Sequence, residues 1–161
     1  MANARHALIF VAVVLCLPLL LAWIAAYLVI MLVWGAVLRA WFWRAHASRG
    51  RPVLFVYSES PNWQSYVEAN ILPRIAERSV VLNWSERRQW PSTRPWEERF
   101  FRRFAGDREF NPIALVFEPW GRVTAVRFHQ AFRDYRHGKP ASLERAEARL
   151  YDLARAAAAS H

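Results

Sequence analysis

Apolar residues run without a charged side chain from residue 7 to residue 38, and shorter apolar runs alternate with polar segments after that point. Because ~20 apolar residues already cross the hydrocarbon core of a bilayer, the first run predicts one transmembrane helix. A secretory signal would have an apolar core of only about 7–15 residues, and two spans would each be too short. At ~1.5 Å per residue the helix reaches about 48 Å, so we expect it to tilt, kink at Pro18 or project from the hydrocarbon.

The pattern after the span predicts one α/β domain, which divides the chain into an anchor (residues 1–44), a polar linker (45–51) and a domain (52–161). Short β-branched and aromatic runs predict strands, and apolar residues at helical spacing predict helices. Ser60 followed by Pro61 is typical of a helix start, and Ser142 is the expected cap of the last helix. The predicted elements are strands at 52–58, 79–84, 113–117 and 123–128, and helices at 61–78, 96–105 and 142–157.

The connections between these elements are predicted from polar residues, proline and glycine. Residues 85–95 are interpreted as an exposed loop, and residues 129–140 as a second polar loop. Gly106 and Asp107 are expected to end the middle helix, and residues 119–121 to form the turn between the last two strands.

The resulting order, βαβαββα, carries two further features: Pro73 within the first helix of the domain, and Asn111-Pro112 directly before the third strand. Over residues 51–157 the chain thereby resembles the thioredoxin-like fold. In that family the proline before the third strand is cis and borders the substrate groove, so the resemblance implies a cis Pro112; a trans proline that opens an edge strand is the alternative. The expected fold class is therefore α/β, a single N-terminal transmembrane helix followed by a thioredoxin-like domain.

The chain departs from that family at the reactive position, where thioredoxin-like oxidoreductases use a thiolate of low pKa. Residues 58–65 contain no cysteine, and the single cysteine, Cys16, lies in the apolar span. Disulfide exchange within the chain is therefore not expected, and we predict a protein that is not an enzyme. The alternative is a membrane-tethered enzyme or ligand-binding protein with a site around Ser60, Asn62 and Pro112.

Other chemistries have little support in the sequence. His129 and His137 are eight residues apart with no acidic or thiol cluster beside them, which is weak spacing for metal ligands. The five glycines form no phosphate-binding loop. We expect no metal and no cofactor.

The formal net charge of +9 comes from arginine, since Lys139 is the only lysine. One arginine precedes the span, and four follow it closely: Arg39, Arg44, Arg49 and Arg51. By the positive-inside rule this asymmetry predicts a cytoplasmic domain and an outside N-terminus, in a bacterial inner membrane. Anionic lipids and acidic protein surfaces are the expected partners of this charge, and nucleic acid is not expected because no nucleic-acid motif is present.

Tryptophan and arginine predict where partners bind, because aromatic residues and arginine anchor many interfaces. Trp23 and Trp34 are eleven residues apart, close to three helical turns, and Trp41 follows about two turns later, so one stripe is expected. The predicted binding residues are Trp23, Trp34, Trp41, Trp43, Arg39, Arg44, Arg99, Arg102 and Arg103. The sequence thus predicts a single-span accessory or assembly subunit that docks on integral membrane subunits of a larger complex, with respiratory and photosynthetic complexes as candidates.

Overall fold

The computed structural model describes residues 2–106, 111–118 and 122–159. Helix α1 covers Ala2–Ala45 and continues through Pro18. Among the described residues, one helical stretch, Cys16–Arg49, is long and apolar enough by length and composition to cross a membrane. The chain divides into two compact units, Met1–Val37 and Leu38–His161.

The described residues of the second unit form four strands and five further helices, besides short 3₁₀ turns. The strands are β1 (Val53–Tyr57), β2 (Ser79–Asn83), β3 (Ile113–Phe117) and β4 (Val123–Arg127). Helix α2 comprises Gln64–Tyr66, a π-helical turn at Val67–Ile71, and Leu72–Ile75. The others are α3 (Trp90–Thr93), α4 (Pro95–Phe104), α5 (His129–Arg136) and α6 (Ala141–Ala159).

The strands form one mixed sheet in the order β2-β1-β3-β4. Strand β1 pairs with β2 in parallel, and β3 pairs with β1 and with β4 in the antiparallel direction. The inner strands β1 and β3 are buried on both faces, which explains why each is a nearly continuous apolar run in the sequence. The Asn111–Pro112 peptide bond before β3 is cis, as expected.

Each face of the sheet carries its own hydrophobic core, because successive side chains of a strand point to opposite faces. Phe55 of β1 lies in the core beneath α2 and α6. Leu54 and Val56 lie in the opposite core, which also receives α3, α4 and the end of α1. The domain is therefore a sheet between two helical layers.

The end of α1 belongs to this second core, so the last part of the predicted anchor (residues 1–44) packs in the domain. Leu38 is 1% exposed and Phe42 is fully buried. The Phe42 ring stacks on Phe117 with centroids 3.7 Å apart and meets Phe100 edge-on at 5.1 Å. One side of this helical segment is thus a structural part of the α/β domain.

Residues 45–51, which were predicted to be a polar linker, also contribute to this core. Ala47 is fully buried in the same core, within a 3₁₀ turn at Ala47–Arg49. His46 Nε2 lies 3.5 Å from Glu97 Oε1, and this contact lowers the pKa of Glu97 against the opposing effect of burial. These contacts fix the entry of the chain into the domain.

Pro73 was expected to bend the first helix of the domain, and the backbone deviates from α-helical geometry one turn before it. The ring of a proline collides with the carbonyl four residues earlier and offers it no N–H. In the π turn the Leu72 N–H donates to the Val67 carbonyl, five residues back. Such a widened turn accommodates an interruption of the α-helical ladder. The helix begins at Gln64 rather than 61, after a turn in which the Asn62 N–H donates to the Ser60 hydroxyl at 3.4 Å.

Both predicted loops contain helices. Residues 129–140 include α5, whose Ala131 and Phe132 are buried against the first core. Residues 85–95 include α3, where Trp90 is only 3% exposed. Ser142 lies inside α6 and donates to Asp134 Oδ2 of α5 at 2.9 Å, so it links two helices instead of capping one.

The other predicted boundaries agree with the structure to within two residues, except that α2 ends at Ile75 and a 3₁₀ turn, Ala76–Arg78, covers the rest of the predicted helix. Gly106 adopts φ +85° just after α4, a backbone conformation that favours glycine, as expected for the end of this helix. Asp107 and residues 119–121, for which a helix end and a turn were predicted, are outside the described residues.

Candidate functional site

A polar cluster occupies the edge of the sheet where the parallel strands β1 and β2 end. Ligands of open α/β sheets bind beyond the carboxyl ends of such strands. Ser58 donates to Asn111 Oδ1 at 2.7 Å, and Asn83 Nδ2 donates to Glu59 Oε1 at 2.7 Å. The Glu59 N–H donates to the Ser85 hydroxyl at 3.1 Å. The residues that follow both strands thus bind one another.

The first turn after β1 is held by a second set of contacts. Trp63 Nε1 donates to the Ser58 carbonyl at 3.2 Å. Arg136 Nη1 donates to Asn62 Oδ1 at 2.7 Å, and the His129 ring meets Trp63 edge-on at 5.9 Å. Arg136 and His129 come from α5, so the helix that the sequence analysis missed covers this turn.

The contacts described at this edge are hydrogen bonds and ring contacts. A serine nucleophile needs an adjacent general base, and the partner of the Ser58 hydroxyl is an amide oxygen. The only cysteine of the sequence, Cys16, is exposed on α1 in the other unit. Among the described residues no group of three His, Cys, Asp or Glu side chains is placed to hold a metal ion.

The predicted binding residues at the end of α1 contact their own domain. The Trp41 ring stacks on Trp96 with centroids 4.4 Å apart, yet 38% of Trp41 stays exposed. Trp43 is partly buried against the second core. Arg39 and Arg44 are exposed. Trp41 therefore helps to position α4, and Trp43 packs against the same core.

Trp23 and Trp34 lie in the first unit, where large apolar side chains are exposed. Trp23 is 66% exposed and stacks on Tyr27 at 5.9 Å, and Trp34 is 41% exposed. The other exposed large apolar residues of this stretch include Leu17, Leu19, Leu20, Leu21, Leu28, Val29, Ile30, Leu32 and Val33. Between Leu17 and Val37 the exposed surface is apolar on all sides of the helix.

The arginines of α4 are exposed, but they have partners within the domain. Arg102 Nε lies 2.9 Å from Glu98 Oε1. The Arg99 guanidinium lies over the Trp96 ring at 4.7 Å, and that of Arg103 lies over Phe104 at 5.7 Å. These are cation–π distances. Trp90 and Phe101, which lie near these arginines in the sequence, are buried.

The sequence analysis missed one cleft, of about 240 Å³, between the end of α2 and α6. It is lined by Arg74, Arg78, Arg155, Tyr151, Ile75 and Ala154. The pair Arg74 and Arg78 is four residues apart, the spacing of neighbours on a helix. Nothing in the sequence places Arg155 beside them, because that contact depends on how α6 packs on α2.

No protein-family model, no curated protein and no solved structure matches this chain.

Proposed function

We propose that this chain is a single-span protein of a bacterial inner membrane and that its α/β domain is a docking module without catalytic activity. It acts as an accessory or assembly subunit of a larger membrane complex, with respiratory and photosynthetic complexes as candidates. The observation that carries the proposal is the exposure of nearly every large apolar side chain between Leu17 and Val37. An aqueous protein does not leave such a continuous apolar surface in water, whereas lipid and neighbouring transmembrane helices cover one.

The domain supports docking better than catalysis. A parallel β1–β2 pair, a helix between them and an antiparallel β3–β4 hairpin agree with the element order on which the thioredoxin-like resemblance rests. At the end of β1, where relatives of that fold would need a thiolate, the Ser58 hydroxyl donates to Asn111 and the Trp63 indole donates to the Ser58 carbonyl. A closed hydrogen-bond network of this kind stabilises a surface and provides no nucleophile.

The orientation follows from the four arginines after the span, which favour a cytoplasmic domain. The prediction is tested by replacing Cys16 with alanine and introducing Ser92→Cys, at an exposed position of α3. In intact cells this thiol should resist a membrane-impermeant maleimide and react only after lysis. Labelling in intact cells to the level seen after lysis would place the domain outside and contradict the orientation.

The docking proposal predicts that Trp23 and Trp34 contact a partner helix. Replacing both with alanine should release the chain from its complex while leaving it inserted, since each buried aromatic anchor contributes on the order of 2 kcal/mol. The measurement is mass spectrometry of subunits that co-purify in mild detergent. Trp41 is left unchanged because its stacking on Trp96 makes it part of the domain.

The matched control is the pair Leu21→Ala and Leu32→Ala. These leucines are also eleven residues apart and are 57% and 69% exposed, and Leu21 lies about 200° around the helix from Trp23 at ~100° per residue. The control pair should retain the partners. If the tryptophan pair retains them as well, the span is only an anchor; equal loss with both pairs would mean that general apolar bulk, and not a specific contact, holds the complex.

A further inference from the structure

The cleft between α2 and α6 concentrates positive charge on two elements that are far apart in sequence. Arg74 belongs to the last part of α2, Arg78 to the 3₁₀ turn that follows, and Arg155 to α6. All three side chains are exposed at the rim, while Ile75 and Ala154 are buried at its base. Three guanidinium groups that share one cleft repel each other unless an anion neutralises them.

Among the described residues, no carboxylate forms an ion pair with these guanidinium groups. Acidic residues follow nearby in the sequence at Glu77 and Asp152, but neither carboxylate forms an ion pair with these arginines among the described residues. Arg74 has a partner of another kind, because its guanidinium carbon lies 5.6 Å from the centre of the Tyr151 ring. Arg78 and Arg155 are thus available to an external ligand.

Tyr151, which also lines the cleft, is hydrogen-bonded to the buried carboxylate of Glu147. Tyr151 donates to Glu147 Oε2 at 3.5 Å, and Glu147 is only 9% exposed. Burial and the adjacent Glu147 charge raise the pKa of Tyr151, and the same causes raise that of Tyr66 to about 12. Tyr151 therefore stays neutral, and an anion binds best at the rim, where the guanidinium groups lie.

Charge and size then select the class of anion. A carboxylate has two oxygens and is satisfied by one bidentate arginine, whereas a phosphomonoester has three terminal oxygens and a charge of about −1.5 to −2. Arginine is the residue best suited to planar, bidentate binding of phosphate. The volume of about 240 Å³ lies below the roughly 300–1,000 Å³ of pockets that enclose drug-sized ligands, so the cleft suits one phosphorylated head rather than a nucleotide.

We propose that the cleft formed by Arg74, Arg78 and Arg155 binds a phosphomonoester group, carried either by a lipid headgroup or by a small soluble phosphate. This site is independent of the docking surface on α1 and of the polar cluster at the end of β1. Arg78 and Arg155 hold the phosphate oxygens from the two helical elements that border the cleft. Arg74, stacked on Tyr151, adds positive charge beside them.

The test uses the full chain in nanodiscs of neutral phosphatidylcholine. Glycerol 3-phosphate is titrated in by calorimetry, and a second set of discs contains phosphatidic acid, whose binding is followed by ³¹P NMR of the headgroup. The double variant Arg78→Gln, Arg155→Gln should weaken binding at least about tenfold, because both bidentate contacts are lost. Binding of glycerol 3-phosphate in neutral discs identifies a soluble ligand, and a response to phosphatidic acid alone identifies a lipid.

The control variant is Arg145→Gln, Arg149→Gln, which removes the same charge from exposed positions of α6 that do not line the cleft. It should bind within about twofold of the unchanged chain, and circular dichroism checks that both variants keep their helices. Equal weakening in both variants would show attraction to net charge only and would overturn the proposal. Absence of binding to either phosphate source by the unchanged chain would overturn it as well.

Discussion

Replacing Phe42 with alanine is expected to destabilise the α/β domain by about 3–5 kcal/mol, the range for truncating a fully buried phenylalanine. Phe42 has no exposed surface, and its ring lies between Phe117 of β3 and Phe100 of α4. The cavity would open where the end of α1, the sheet and α4 meet. Since domains of this size are stable by only about 5–15 kcal/mol, this one change should remove a large part of the total.

The measurement is chemical denaturation of the full chain in detergent, followed by the near-ultraviolet circular dichroism of the domain. The control is Arg44→Ala, two residues further along the same helix, where the side chain is exposed. Alanine is at least as good a helix former as arginine, so the control should unfold within about 0.5 kcal/mol of the unchanged chain. A shift for Phe42→Ala no larger than that of the control would mean that α1 does not belong to the core.

The strands could be predicted from the sequence because short, continuously apolar runs of five residues fit few structures other than a buried strand. Residues 53–57 and 113–117 are apolar on both faces, and such short β-branched or aromatic runs suit inner strands. All four strands lie within one residue of their predicted bounds. Gly106 was also readable, since a glycine after an amphipathic helix is a common signal for its end.

Helix α5 was missed because its composition is polar, although its spacing is helical. Phe128, Phe132 and Tyr135 recur three or four residues apart, and Phe128 and Phe132 are buried in the first core. Charged residues between them gave the segment the appearance of a loop. Because α5 was not predicted, the hydrogen bond from Arg136 to Asn62 could not be predicted either. The packing of α5 over the turn after β1 was missed for the same reason.

The arginine residues show what residue type alone cannot decide. Arg102 and Arg155 are both exposed arginines on amphipathic helices, and the sequence singled out the first. The structure pairs Arg102 with Glu98 one turn away and places Arg155 in a cleft with arginines from α2. A local pair at four-residue spacing is visible in a sequence, whereas a cluster across two helices depends on tertiary packing.

Where the domain begins also depends on tertiary packing, which the sequence pattern does not show. The pattern from residue 7 to residue 38 is uniformly apolar, so sequence alone cannot separate side chains that face lipid from those that face the domain core. The composition of residues 45–51 favoured a domain that begins at Pro52. Leu38, Phe42 and Ala47 lie in its core instead.

A chain that begins at Pro52 is therefore expected not to fold, whereas one that begins at Leu38 should unfold cooperatively. The shorter chain loses three residues that are at most 1% exposed, and the missing Leu38 and Phe42 alone correspond to roughly 5–10 kcal/mol by the costs of single core truncations. That amount is comparable to the whole stability of a small domain. Its loss would also expose Phe117 and Phe100, so aggregation is expected.

Urea denaturation of both chains, monitored by near-ultraviolet circular dichroism, provides the comparison. The chain from Leu38 carrying Phe42→Ala should unfold at a lower urea concentration than the unchanged chain from Leu38. It should still be more stable than the chain from Pro52, because it retains Leu38 and Ala47. If the chain from Pro52 instead unfolds cooperatively at the midpoint of the longer one, the helical end contributes nothing to the core. Residues 45–51 would then be the linker that their composition suggests, and the destabilisation expected for Phe42→Ala would have to be absent too.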